Sequence, residues 1–438
     1  MIIPPQIALV GWIPVVLGFF AFLSPRRAVI VSVVAGWLVL PVVTYRIEHA
    51  PDYGKLTAVG PVVLVAAALF DFRRLVRLRP RAVDLPMAVW CLSPFASSLS
   101  NGLGPYDGVS AVYEQSVAWG IPWVLGRAYL GDLTGLREYA LGVLWGGLAY
   151  VPLGLVELFW GPELHHLAYG FYQHPNVRIQ RLGGWRPAIF MEHGLTAAFW
   201  MTAASLIAVW LWSTGAVKRA RELRLGWWAA ILIATTLLFK ALNASLLLGL
   251  GGGLLFLIRR HASVAVAVVT LAIPFYIAVR ATGSWDGQPL IRPVRAVLGE
   301  RAAESVNFRL INEELLAEKA RERPLLGFGR WARSRIYDEQ GVDVSKTDSV
   351  WIIAFGQYGA IGLLGWLGSL LGPVLAFWRR YPLWRWVDPD VAPAAVLAVI
   401  LALYAIDSCF NALANPLYVL AGGGLAGLGV GGLRSVSE

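Results

Sequence analysis

Asn307-Phe308-Arg309-Leu310-Ile311-Asn312-Glu313-Glu314-Leu315-Leu316 lies inside a polar island that runs from Ala281 to Lys346. Apolar segments of membrane length hem the island in on both sides, so it reads as one large extramembrane loop between hydrophobic spans. Roughly residues 302–321 put Phe308, Ile311 and Leu315 on one helical face, with Arg309, Glu313 and Lys319 elsewhere. That pattern predicts an amphipathic helix on the outer leaflet or across the mouth of a bundle. Pro324 ends it, and Gly327 and Gly329 supply a turning return segment. A permease seldom needs so large an insertion, whereas an enzyme handling a polar group at a membrane surface does.

Outward from the island, the chain is 57% hydrophobic and 15% charged, with a mean hydropathy of +0.61. Soluble domains have about 25% charged residues, so composition alone indicates a membrane protein. Apolar runs predict roughly thirteen spans, and the fold class is all-α: a polytopic transmembrane bundle of about 12–13 spans with one large outward loop. The expected division is an N-terminal bundle over 1–280 with an outward loop at 161–187, the large loop at 281–346, and C-terminal spans over 347–438. Basic residues gather in alternate short loops, at Arg26 and Arg27, Arg73 to Arg81, Arg127 and Arg137, Lys218 to Arg224, Arg259 and Arg260, and Arg379 to Arg385. This is the positive-inside pattern. It puts those loops and the C-terminus in the cytoplasm and the N-terminus outside. The net charge of +10 is thereby assigned to lipid headgroups, not to nucleic acid. Ile7 to Leu23 ends in Ser-Pro-Arg-Arg without a small-residue cleavage site and reads as a retained anchor.

Arg181, Arg186 and Arg309 fall on the outward side, where basic residues are few. A guanidinium donates two parallel hydrogen bonds to phosphate, so arginines converging from separate loops could clamp a lipid diphosphate. Each could equally pair with a nearby acid such as Glu192, Glu304 or Glu313. Asp348 opens the long apolar segment after the island and is either a helix cap or a general base. His165, His166, His174 and His193 cluster outside. Their spacing matches no metal geometry, and neither a metal nor another cofactor is expected. His193, in Arg186-Pro187-Ala188-Ile189-Phe190-Met191-Glu192-His193-Gly194, carries polarity into the start of a span and is the second candidate base. A carboxylate base holds its activity across neutral pH, whereas a histidine loses it as pH drops through roughly 6.5. Lys240, Asn243, Ser245, Asp407, Asn411 and Asn415 are polar groups within apolar runs. Lys240 and Asp407 are expected either to pair or to line an acceptor path. Gly251 to Gly253 and Gly422 to Gly424 read as helix-packing surfaces.

These residues together resemble the O-antigen ligase and polymerase superfamily. The resemblance is carried by Arg181 and Arg186 before a span, Lys240 to Ser245 in a short hairpin, and Arg309 in the loop helix. Arg323-Pro324-Leu325-Leu326-Gly327-Phe328-Gly329 is similar to that family's Pro-Leu-x-Gly-x-Gly return, and Gly359-Ala360-Ile361-Gly362-Leu363-Leu364 to its Gly-x-x-Gly-Leu helix. The topology matches over most of the chain, and the motifs over about 180–365. One departure is Asp348-Ser349, where the ligases carry a His-Asn pair, which favours a polymerase or another glycan transferase over a ligase.

The resemblance implies a metal-independent, inverting transfer in the bacterial inner membrane. An undecaprenyl diphosphate-linked glycan would be held by Arg181, Arg186 and Arg309, with Lys240 beside them. Asp348 or His193 would activate a hydroxyl of a glycan or lipid acceptor. The alternatives are a transporter or flippase for a polar lipid or solute, and a structural subunit of an envelope polysaccharide complex. No internal repeat of the transporter kind is present.

Overall fold

The computed structural model describes residues 2–48, 50–178, 180, 183–220, 223–260 and 263–428. The chain is almost entirely helical. The first half comprises α1 (Pro5–Phe22), α2 (Pro25–Val39), a hairpin of β1 (Thr44–Ile47) and β2 (Ala50–Gly54), α3 (Lys55–Val76), α4 (Leu85–Ser100), α5 (Pro105–Gln115), α6 (Ile121–Tyr129), α7 (Leu133–Trp160) and α8 (Leu164–Tyr169). The second half comprises α9 (Gly194–Ser213), α10 (Leu225–Leu238), α11 (Leu242–Arg259), α12 (Ser263–Ala281), α13 (Ile291–Leu298), α14 (Glu300–Arg321), α15 (Val350–Arg380), α16 (Ala392–Ser408) and α17 (Pro416–Gly427), with a two-residue-per-strand hairpin before α10.

Within the described residues, each apolar segment expected from the sequence is helical over most of its length. Among the described residues, seven helical segments, fewer than the twelve or thirteen expected, are long and apolar enough to cross a membrane: Pro5–Phe22, Lys55–Val76, Ala82–Ser100, Leu133–Trp160, Gly194–Ser213, Leu242–Arg259 and Val350–Arg380; Leu225–Leu238, Ala392–Ser408 and Pro416–Gly427 are apolar but shorter. Proline begins many of these helices, including α1, α2, α5 and α17, where its fixed φ suits the first turn and its missing N–H costs nothing. Side-chain caps start others, with Asp132 accepting from Gly135 N at 2.6 Å and Asn415 from Leu417 N at 3.0 Å. Helices α9 and α16 are buried almost all round and form the centre of the bundle. The outer helices turn large apolar side chains outward, Phe159 and Phe275 being 76% and 70% exposed. A protein surrounded by water does not leave so much of its surface oily.

Among the described residues, ion pairs segregate to the two ends of the bundle. At one end Arg26 pairs with Asp132, Arg27 lies 3.6 Å from Glu138, and Arg137 donates to the Ala216 carbonyl at 3.3 Å. The loops expected to share a side by their arginines therefore meet one another. At the other end the Ile3 amide donates to Ala168 O at 2.8 Å, and Asn101 to Gly327 O at 2.9 Å. The loop 282–349 belongs to this second end.

The two glycine motifs interlock. Helix α15 breaks at Gly359, whose φ of +63° is left-handed. The break frees the carbonyls of Gly356 and Gln357, which accept instead from the amides of Phe328 and Gly329, both at 2.9 Å. The Ala360 and Ile361 amides turn to the carbonyls of Pro324 and Leu325 at 2.7 and 3.3 Å. Residues 324–329 thus restore the helix bonds that the break removes. A Cβ on Gly359 would stand 2.3 Å from the Leu325 carbonyl carbon, and one on Gly327 2.4 Å from that of Gln357. Glycine is needed on both sides because the backbones touch.

The loop helix forms where the sequence puts it, with its apolar stripe turned away from the bundle. Phe308, Ile311 and Leu315 of α14 are exposed, and the buried side carries Ala303, Leu310, Glu313, Leu316, Ala317 and Ala320. The reason is electrostatic: a buried arginine on α12, described below, captures Glu313 and turns that side inward.

Gly359→Ala combines a forced left-handed residue with a backbone clash and should destabilise the protein by about 3 kcal/mol or more. Gly372→Ala, in the same helix but facing open space, should leave the melting temperature of the purified protein unchanged or slightly raised.

Candidate functional site

The second end of the bundle is organised by Glu157, near the C-terminus of α7. Its carboxylate is fully buried. One oxygen accepts from Leu164 N at 3.0 Å, and the other from both Ala188 N and Ile189 N at 2.8 Å. Three backbone donors from the 161–193 segment converge on one carboxylate, which fixes both ends of that loop. Ile189 is thereby held at φ +57°, a conformation costly for a β-branched side chain. Lys55, buried at the start of α3, donates to the Phe190 carbonyl at 2.7 Å and lies 5.0 Å over the Trp37 ring. His165 is fully buried: its Nε2 accepts from Val42 N at 3.1 Å while Nδ1 faces Phe171 O at 2.8 Å. Those partners select the neutral Nδ1–H form, and burial lowers its pKa to about 4. His165 is a joint of the scaffold.

This scaffold presents Arg186, Glu192 and His193. The Nδ1 of His193 caps α9 by accepting from Leu195 N at 3.1 Å, and its ring stands 5.4 Å from that of His174. With the Nδ1 lone pair engaged, the proton of the neutral ring sits on Nε2, so in this geometry His193 offers a donor. Glu192 reaches solvent, yet the protein around it raises its carboxyl above the usual range, while Lys55 and His174 draw it back. The stem of Arg186 crosses Gly194, where a Cβ would meet its Cδ at 2.6 Å, and its Nη2 donates to the Lys240 carbonyl at 3.4 Å. Lys240 turns the α10–α11 hairpin at φ +53°. Ile189 and Lys240 are the two non-glycine residues with left-handed backbone among those described, and Arg186 links their two loops.

Three residues beyond Lys240, Asn243 donates to Asp407 Oδ1 at 3.1 Å, and Asn411 donates to the same oxygen at 2.7 Å. Asp407 is buried at the end of α16, and the positive charge of Arg309 acts on it. Arg309 also lies 3.8 Å from the exposed carboxylate of Asp348. Arg309 is aimed there because α14 is pinned. The Arg280 guanidinium is wholly buried and donates to Leu310 O at 2.7 Å, Glu314 at 2.9 Å and Trp285 O at 3.0 Å, with Glu313 at 3.6 Å. Glu313 also accepts from Tyr276 at 2.7 Å and Trp351 at 3.2 Å, and burial raises its carboxyl.

Of the residues singled out by sequence, Arg309 meets Asp348, and Arg186 meets Lys240; Arg181 lies outside the described residues. Lys240 and Asp407 do not pair: Asp407 is held by Asn243 and Asn411, and the Lys240 amine lies over Gly184, 1.9 Å from where a Cβ would stand. Asp348 does not cap α15; that position is Ser349, which makes no side-chain cap bond. Glu157 and Lys55 are not legible as site-building groups in the sequence, whereas Glu192 enters there only as an acid beside the arginines. A lone acid in the apolar run 139–160 was the available signal for the first. Among the described residues, no group of three or more His, Cys, Asp and Glu side chains is arranged to hold a metal ion.

No protein-family model matches the chain, and no curated protein matches its sequence.

Glu157→Ala leaves three buried amides without an acceptor, and a loss of about 3 kcal/mol or more is expected. Hydrogen exchange at Ala188 and Ile189 should accelerate before the rest of the bundle opens. A separate pH effect follows from His165. Its folded-state pKa of about 4 lies below the unfolded value of 6.5. Its contribution is therefore full above roughly 6.5 and is lost as pH falls toward 4. Melting temperatures across that window should fall less steeply in His165→Gln than in the unaltered protein.

Proposed function

We propose that this protein is a polytopic membrane glycan transferase of the O-antigen polymerase and ligase type. It would take a glycan from a diphosphate-linked polyprenyl donor at the outer face of the bacterial inner membrane. One observation carries the reading. At the end of the bundle opposite the basic loops, the Arg186 guanidinium reaches the Lys240 carbonyl at 3.4 Å, and Arg309 stands 3.8 Å from the accessible carboxylate of Asp348. The positive-inside pattern assigns that end to the outside.

In this mechanism the donor's diphosphate rests on Arg309 and Arg186, with Arg181 and Lys240 as further cationic contacts. Their forks neutralise charge as it develops on the leaving group. The acceptor hydroxyl oxygen attacks the anomeric carbon from the side opposite the diphosphate. The bond from that carbon to the diphosphate oxygen breaks, the hydroxyl proton passes to Asp348, and the lipid diphosphate departs with the bonding pair. A single displacement inverts the anomeric centre. His193, donating through Nε2, serves as a hydrogen-bond partner for the sugar or the diphosphate, and Asp348 is the base. The energy resides in the sugar-diphosphate bond, so no nucleotide enters.

The test is transfer from an undecaprenyl diphosphate-linked oligosaccharide by the protein reconstituted in liposomes. Arg309→Lys, Arg186→Lys and Asp348→Asn should each slow transfer by about a hundredfold or more, with unchanged membrane insertion. An unaltered product-length distribution from the Arg309→Ala, Arg186→Ala double variant would sink the proposal. Loss of donor flux across the bilayer with no chemical transfer would favour a flippase instead.

A further inference from the structure

At the end of the bundle away from Arg309, the segment after α3 and the α6–α7 connection enclose a recess of about 340 Å³. Arg74, Arg77, Arg79, Arg81 and Arg127 line it, together with Asp132. Three of these arginines are held by their surroundings. Arg127 is buried, with Nε and Nη2 on Asp84 at 2.8 and 3.0 Å. Arg74 donates to Ala128 O at 2.8 Å and lies 5.0 Å over the Tyr129 ring. Arg81 donates to Gly427 O at 3.1 Å. They cap carbonyls and tie α3, α6 and α17 together, which gives the recess a fixed wall. Gly131 and Gly427 form part of it, where a Cβ on Gly427 would stand 2.4 Å from the Gly131 Cα.

Arg77 and Arg79 have no such employment. Among the described residues their guanidinium groups make neither a hydrogen bond nor an ion pair, though the Arg79 carbonyl accepts from Arg127 at 3.2 Å. The acids in the neighbourhood are already engaged: Asp84 holds Arg127, Asp132 pairs with Arg26, and Asp71 acts on the Tyr129 hydroxyl. The five lining guanidinium groups and that of Arg26 face three carboxylates, which leaves a net positive concavity. A cation-rich hollow concentrates anions more strongly than a flat basic rim does. Its volume falls within the range of small-ligand sites.

We propose that this recess is a binding site for a phosphate-bearing anion, whose oxygens are taken by the free forks of Arg77 and Arg79 against the wall built by Arg74, Arg81 and Arg127. Planar guanidinium forks match phosphate oxygens two at a time, and a group carrying two phosphates would engage both free arginines. Two sources present this chemistry: a phospholipid headgroup entering from the leaflet, or a soluble diphosphate entering from the aqueous side.

The test uses full-length protein in phosphatidylcholine nanodiscs, titrated with cardiolipin and separately with inorganic pyrophosphate, and read by native mass spectrometry and thermal shift. Saturable binding is expected in the unaltered protein, weakened about tenfold or more in the Arg77→Ala, Arg79→Ala variant. The Arg292→Ala, Arg295→Ala variant, altered on α13 at the other end, should bind as the unaltered protein does. Cardiolipin binding that pyrophosphate fails to displace identifies a headgroup site; displacement by pyrophosphate identifies a site open to soluble anions. Absence of saturable binding to either ligand, or equal weakening in both double variants, overturns the proposal.

Discussion

The buried guanidinium of Arg280 is the contact on which the outer half of this structure depends. It stands at the last turn of α12, with no access to solvent, and is met by two carboxylates and two backbone carbonyls. An unpaired charge at such a depth is prohibitive, so α14 must bring Glu313 and Glu314 to it or the arrangement fails. That requirement sets the rotation of α14 about its axis. Arg309, one residue before Leu310, whose carbonyl also accepts from Arg280, is then directed toward Asp407 and Asp348. The ion network turns the Glu313 side of the helix inward and leaves Phe308, Ile311 and Leu315 outside, as a helix lying on a leaflet would carry them.

Rigidity at this end comes from several independent devices that converge. Glu157 gathers three amides, Lys55 captures the Phe190 carbonyl, and the return segment 324–329 repairs the break in α15. Backbone strain persists only where the surroundings over-determine it. The two left-handed non-glycine residues, Ile189 and Lys240, sit in the two loops that Arg186 joins. A polar constellation held this tightly can hold charges apart in the absence of substrate, which a flexible loop cannot.

The glycine motifs show how a resemblance in sequence can serve architecture instead of chemistry. Gly327 and Gly359 face each other across a backbone contact, and Ser97 and Asn101 of the neighbouring α4–α5 region reinforce it by bonding to Gln357 O at 2.8 Å and Gly327 O at 2.9 Å. None of these groups needs to touch a substrate. Their task is to close the large loop back onto α15, within a few residues of the start where Asp348 stands.

The helical class, the places of the apolar helices and the sharing of one end by the arginine loops were legible in the linear chain, although seven helices, not about thirteen, have the length and composition of spans among the described residues. Apolar length and charge segregation are local quantities, and a hydrophobic run reports its own burial. The pairing of Arg309 with Asp348 was legible only as two candidates on one loop. What tertiary structure alone decided was which polar groups meet: Asp407 with Asn243 and Asn411 instead of Lys240, Glu157 with three amides, and Glu313 with Arg280. Those partners lie from 4 to 164 residues apart, and a single sequence carries no periodic signal for them. The choice among them is made by desolvation, because a charge carried into the bundle accepts whichever donors the packing delivers.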